Sequence, residues 1–184
     1  QNLIGTKTEL DIEEISKEEM RSPQENLLLG QVYDRGHFGH KDDQKAALYY
    51  QEALSQGNDY AAVYLARMHL EARIKKKRSN RDAIKLLLPI ASQCPDASYL
   101  LSKAYHNQSK SGEYLDSLKS AMNQGHMTAT LLFVEELLKS RYVQTIKDAA
   151  RILFKLLKEW HVDSFKLLSK NNYFLGRPQD WFDA

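Results

Sequence analysis

The sequence contains few of the residues that cross-link or interrupt a small domain. It has one cysteine, Cys94, which excludes an internal disulfide and a zinc site built from clustered cysteines. Four prolines and eight glycines among 184 residues are too few for a collagen-like or low-complexity chain. An apolar run such as residues 86–91 is far shorter than the ~20 residues that cross a bilayer. No transmembrane segment is therefore expected.

Positive and negative charges are nearly balanced in the sequence. The chain has 26 Lys and Arg against 24 Asp and Glu, a net charge of +2, and 42% of its residues are apolar. These values are typical of one globular domain or a short repeat array. Gln1, rather than Met, begins the chain, which predicts a processed or trimmed protein. Removal of a leader, with or without a lipid tether upstream, favours a periplasmic or membrane-tethered location over a cytoplasmic one.

Residues 42–57 contain the first clear helical pattern. Small or aromatic residues recur at helical spacing, and Gly57 stands where a left-handed residue ends a helix. The pattern returns every 31 to 37 residues, a length that suits a pair of stacked helices. The aligned positions are Ala46, Ala83, Tyr114 and Ala150, then Ala53, Ile90, Ala121 and Leu157, then Gly57, Cys94, Gly125 and His161.

Local signals place the ends of these helices. Residues 22–25 form a capping box with Pro23 at the first helical position, and Pro95 suits another helix start. Residues 145–148 resemble a capping box with a shorter acid, and Pro89 predicts a kink. The expected result is nine helices, two in each of four units plus one at 163–175, with a further capping helix at 8–21. Packing should bury Ala46, Ala53, Ala61 and Tyr49.

The residues of the first unit carry a family resemblance. Asp42, Lys45–Ala46, Tyr49–Tyr50, Ala53 and Gln56–Gly57, followed by Ala61 and Leu65, closely resemble the Sel-one-like repeat, a variant of the tetratricopeptide repeat. Leu29–Gly30, Tyr33 and Gly36 match its first helix, whereas His69 and Ala72 replace the tyrosine and the loop glycine in the second unit. The resemblance implies an all-α, right-handed α-solenoid of about four helix hairpins, with a concave face that holds partner proteins. The expected domains are an acidic capping segment at 1–23, repeats at 24–161, and a capping helix and tail at 162–184.

The repeat also predicts a binding surface. Positions two and six after the aligned leucine of each first helix should point away from the packing seam, and Tyr64 and Phe38 could serve as aromatic anchors. The expected partner-binding residues are Gln31, Arg35, Phe38, Tyr64, Arg67, Glu71, Lys103, Asn107, Glu135 and Lys139. The alternative interpretation is that these residues form a solvent-exposed helix face that binds no partner.

Other chemistry is less well supported. His37 and His40, near acidic residues, could hold a metal, but their loop is more simply solvated, so no metal and no cofactor is predicted. Residues 73–81 carry six positive charges, but no interleaved aromatics favour nucleic acid, so we expect a solvated loop or a contact with an acidic protein. Cys94 occupies a turn position rather than that of a nucleophile.

The sequence therefore favours a non-enzymatic adaptor or scaffold that binds a protein, such as a secretion or envelope component. A narrower alternative is a bacterial immunity protein that inhibits a secreted toxin, for example a lipase. A hydrolase that depends on His37 or Cys94 is the third and weakest alternative.

Overall fold

The computed structural model describes residues 21–37, 41–74 and 77–158, without the side chains of residues 157 and 158. Within these ranges the secondary structure consists of eight α-helices and no strand. They are α1 (Pro23–Arg35), α2 (Asp43–Ser55), α3 (Ala61–Leu70), α4 (Asn80–Leu87), α5 (Pro95–His106), α6 (Ser111–Asn123), α7 (Met127–Leu138) and α8 (Val143–Lys158).

The helices fall into two compact units, which divide within α6 between Ser117 and Leu118. In the N-terminal unit each of the helices α1 to α4 packs against the next, and α3 also packs against α5. In the C-terminal unit α7 packs against α8. Helices adjacent in sequence thus form pairs, and the first helices of two successive repeats touch, as expected when one pair covers the apolar face of the next.

Several helix ends follow the sequence signals. Ser22 accepts a bond from the Glu25 amide at 3.2 Å, and the Glu25 carboxylate accepts one from the Ser22 amide at 2.8 Å. Pro95 lies in the first turn of α5. Backbone N–H groups in this turn donate no intrahelical hydrogen bond, so proline, which has no N–H, is tolerated there. Gly57 follows α2 with φ +91°. The predicted capping box, proline start and left-handed glycine are confirmed.

Three predictions about helix ends and register are wrong. Helix α4 ends at Leu87 instead of kinking at Pro89. Leu88 still has helical dihedral angles, but Pro89 has no N–H to donate the next helical hydrogen bond. Thr145 lies inside α8, which begins at Val143, so it does not cap the helix. Ala149 is fully buried while the aligned Ala150 is only half-buried, so the repeat alignment is off by one residue in α8. The helix expected at 163–175 and residues 8–20 of the helix expected at 8–21 lie outside the described residues.

Small residues allow the close packing of the first unit. Ala46, Ala53 and Ala61 have no exposed surface, as predicted. Tyr50, rather than the half-buried Tyr49, is the fully buried ring. A Cβ added to Gly30 would lie 2.5 Å from two carbons of the Tyr50 ring. The glycine of the repeat is therefore required because an aromatic ring occupies the space that a side chain would fill.

Each first helix of the N-terminal unit is followed by one residue in the left-handed region. These residues are Gly36 at φ 70°, Ala72 at φ 62° and Ser109 at φ 57°. Relief of left-handed strain in Ala72→Gly is worth about 1–2 kcal/mol, and the extra unfolded-state entropy of glycine offsets about 0.4–1 kcal/mol of it. We expect Ala72→Gly to raise the free energy of unfolding in urea by about 0.5 kcal/mol.

Ala150→Gly in the interior of α8 is the control for this substitution. This substitution should lower the free energy of unfolding by about 1 kcal/mol, because glycine is a poor helix former. An equal loss in Ala72→Gly would show that residue 72 is not strained.

Candidate functional site

One groove on the N-terminal unit gathers several of the predicted binding residues. It has a volume of about 190 Å³ and lies where the C-terminal ends of α3 and α5 meet the segment before α4. We call it the α3–α5 groove, and its lining residues are Arg67, Leu70, Glu71, Arg78, Leu100, Lys103 and Asn107. Four of the seven were predicted from the repeat. Leu70, Leu100 and Arg78 were not, because the first two are core positions and the third lies in a loop.

The groove has an apolar floor and a cationic rim. Leu70 and Leu100 are buried at its base. The Arg67 guanidinium lies 5.4 Å from the centre of the Tyr64 ring, which holds it beside the groove. Among the described residues, no carboxylate forms an ion pair with Arg67, Arg78 or Lys103.

The other two polar residues of the groove have partners. The Glu71 carboxylate lies 3.4 Å from Nη1 of Arg73, in the turn that follows α3. The Asn107 amide donates a hydrogen bond of 3.2 Å to the side-chain oxygen of Asn80. Glu71 therefore has an ion-pair partner outside the groove, whereas the cations of the rim have no carboxylate partner among the described residues.

Arg73 anchors this end of the groove to the preceding repeat. Its guanidinium pairs with Asp34 on α1 and Asp43 on α2, and 17% of its side chain is exposed. The hydrogen bond from Arg73 holds the pKa of Asp43 below its usual value, and the same bond raises the pKa of Arg73. The prediction of a solvated loop is wrong for Arg73, because two carboxylates separated from it in sequence enclose it.

The rest of the basic run is different. Lys77, Arg78 and Arg81 are exposed, as predicted for a solvated segment. Lys75 and Lys76 lie outside the described residues.

Tyr64 and Gln31 connect α1 to α3 beside the groove. Gln31 donates a hydrogen bond of 2.9 Å to the Tyr64 hydroxyl, and the Tyr64 ring stacks on Tyr50 at 4.9 Å. Tyr64 is half-buried, so part of its ring remains accessible. Both residues are held in fixed positions, which limits the side-chain entropy that a bound partner would remove. Arg35 is exposed at the end of α1.

The remaining predicted binding residues lie elsewhere. Phe38 is outside the described residues. Glu135 and Lys139 belong to the C-terminal unit, where Lys139 pairs with Glu136 at 2.8 Å, and this bond raises the pKa of Lys139. The structure thus brings together Arg67, Glu71, Lys103 and Asn107, with Gln31 and Tyr64 beside them.

The described residues contain neither a cluster of side chains that could hold a metal nor a helix that could cross a membrane. No group of three or more His, Cys, Asp or Glu residues among them is arranged to hold a metal, and His40 lies outside them. No described helix combines the length and apolar character needed to cross a membrane. Cys94 is half-buried at the residue before α5, which is the turn position expected for it.

The paired helices, buried alanines and recurrent left-handed turns define an all-α helical-repeat fold of the α-solenoid class. A solved structure of a Sel1 repeat protein from Oxalobacter formigenes shares this fold, with a TM-score of 0.58 and 23% sequence identity. The match covers 80% of this chain and 54% of that one, so the chain spans about half the length of that protein. No family model and no curated protein matches the sequence. The predicted fold class and the resemblance to Sel-one-like repeats are confirmed at the level of the fold.

Proposed function

We propose that this protein is a non-enzymatic adaptor that binds another protein through the α3–α5 groove and the adjoining surface of α1. The groove itself is the observation that supports this proposal. It collects Arg67, Glu71, Lys103 and Asn107 from two successive repeats at one place. Positions that the repeat directs away from its packing seam thus lie side by side, which supports the proposal that a partner binds there.

The chemistry of the groove suits the binding of a protein. Its lining consists of cations, one carboxylate, one amide and two leucines, a combination of apolar floor and polar rim that is typical of protein interfaces. Charged rim residues give a protein interface its orientation and association rate, while a nearby aromatic anchor supplies contact area. Tyr64 is such an anchor, because Gln31 and Tyr50 hold its ring in place.

Charge reversal of the groove is the direct test. We expect the double substitution Arg67→Glu and Lys103→Glu to abolish capture of the partner from a native lysate, because it replaces two cations of the rim by carboxylates. The melting temperature should stay close to that of the wild type, since surface substitutions usually change stability by less than about 0.5 kcal/mol. Capture is read by mass spectrometry and stability by circular dichroism.

Lys85→Glu is the matched control. Lys85 is exposed on α4 and does not line the groove, so this reversal should leave capture unchanged. Equal capture by the wild type and the double variant would contradict the proposed site.

The captured protein also decides between the narrower functions. A secreted enzyme that the protein inhibits would identify it as an immunity protein. A component of a secretion or envelope assembly would identify it as a scaffold. The compartment in which the captured partner resides would also test the predicted periplasmic or membrane-tethered location.

A further inference from the structure

We propose that the ligand of the α3–α5 groove is an acidic segment of a partner polypeptide, with a carboxylate side chain seated between Arg67 and Lys103. This inference rests on the proposed adaptor function and specifies the chemistry of the partner.

The charge of the groove selects for anions. Three cations, Arg67, Arg78 and Lys103, face one carboxylate, that of Glu71. Arg73 draws that carboxylate towards itself at 3.4 Å and is held in turn by Asp34 and Asp43 on other helices. The rim cations have no such partner among the described residues. A ligand carboxylate would thus complete an ion pair that the protein leaves open.

The size of the groove favours part of a longer ligand. Its volume of about 190 Å³ is below the ~300–1,000 Å³ of pockets that enclose small molecules. One side chain of a peptide fits such a space, while neighbouring residues lie along the exposed rim near Arg78. The buried leucines of the floor favour an apolar residue beside the acidic one.

The lining favours a polypeptide over other anionic ligands. Single-stranded nucleic acid is bound by successive aromatic rings that stack on bases. No aromatic residue lines the groove, and the rings of Tyr64 and Tyr99 beside it are in contact with Arg67 and Lys103. Anionic membranes are bound by clusters of 4–8 accessible basic residues. The lining of the groove contains three cations, Arg67, Arg78 and Lys103, which is fewer than such a cluster.

Two labelled peptides test the proposal by fluorescence anisotropy with the full chain. The first is a short peptide of alternating Glu and Leu, and the second has Gln in place of every Glu. We expect the Glu peptide to bind about tenfold more tightly than the Gln peptide, and to weaken as salt shortens the Debye length. Arg67→Gln and Lys103→Gln should each reduce its affinity by about tenfold. Lys85→Gln, outside the groove, should have no effect.

Four results would overturn the inference. They are equal binding of both peptides, full affinity in the Arg67→Gln and Lys103→Gln variants, tighter binding of a peptide copied from the chain's own acidic residues 8–20, and binding of anionic vesicles in place of the Glu peptide. Circular dichroism of each variant establishes that it is folded.

The same variants separate this inference from the adaptor function. If the Glu peptide fails to bind while charge reversal still abolishes capture, the adaptor proposal stands and the acidic ligand is wrong. If the Glu peptide binds as expected while charge reversal leaves capture unchanged, the groove binds acidic peptides but is not where the adaptor holds its partner.

Discussion

Gly30→Ala should destabilise the protein by about 3 kcal/mol, although alanine is the better helix former. The new methyl group would lie 2.5 Å from ring carbons of Tyr50. That ring cannot move aside easily, because it is fully buried, stacks on Tyr64 and donates to Asp34 at 3.2 Å. Urea unfolding followed by circular dichroism measures the loss. The same clash would displace Tyr64, so partner capture should weaken as well.

Gly112→Ala is the matched control for this experiment. Gly112 lies in the first turn of α6, and no atom beyond its chain neighbours and the adjacent helix backbone is within 4 Å of the position that a Cβ would take. We expect unchanged or slightly higher stability there, by at most about 1 kcal/mol. If both substitutions had the same small effect, the packing of Tyr50 against Gly30 would not contribute as described.

Arg73→Met should lower the free energy of unfolding by about 2 kcal/mol, because the loss for a half-buried ion pair lies between the ~0–1 kcal/mol of an exposed pair and the ~3–5 kcal/mol of a buried one. The substitution leaves Asp34, with 11% of its side chain exposed, beside Asp43 without their shared cation. Glu71 would also lose its partner and return negative charge to the groove. The free energy of unfolding at neutral pH measures the first effect, and weaker binding of the acidic peptide measures the second.

The pH dependence of this loss follows from Asp43. Because Arg73 lowers the pKa of Asp43 from its usual 3.8, the pair stabilises the fold above that value and the stabilisation is lost as pH falls through the lower, folded-state pKa. The stability difference between wild type and Arg73→Met should therefore shrink on acidification below 3.8. Arg78→Met removes one positive charge as well, but at an exposed position. Its free energy of unfolding should stay within about 0.5 kcal/mol of that of the wild type at every pH. A difference that grows on acidification would contradict the ion-pair account.

The sequence predicted the helices best where a local signal marks their ends. Ser22, Gly57 and Pro95 each mark the start or end of a helix through interactions within a few residues. Tertiary contacts are therefore not needed to predict these positions. The prediction of a capping box at Thr145 was wrong, because residues that resemble a capping box are also tolerated inside a helix. The degenerate fourth unit allowed two registers one residue apart, and only packing decides between Ala149 and Ala150.

The site was predictable to the extent that it follows the repeat. Arg67 and Lys103 were found because equivalent positions of successive first helices lie on one side. The pairing of Arg73 with Asp43 joins residues 30 positions apart, and no pattern within one repeat indicates it. Arg78 was assigned to a loop, and only the fold shows that this loop borders the groove.

Site-specific photocrosslinking tests the central claim most directly. A benzophenone amino acid would replace Asn107, in the groove, or Lys85, on α4, in the full chain exposed to a native lysate. The account predicts a specific crosslinked partner from position 107 and none from position 85. A partner crosslinked from position 85 and not from position 107 would place the binding surface on the second helices and contradict the account.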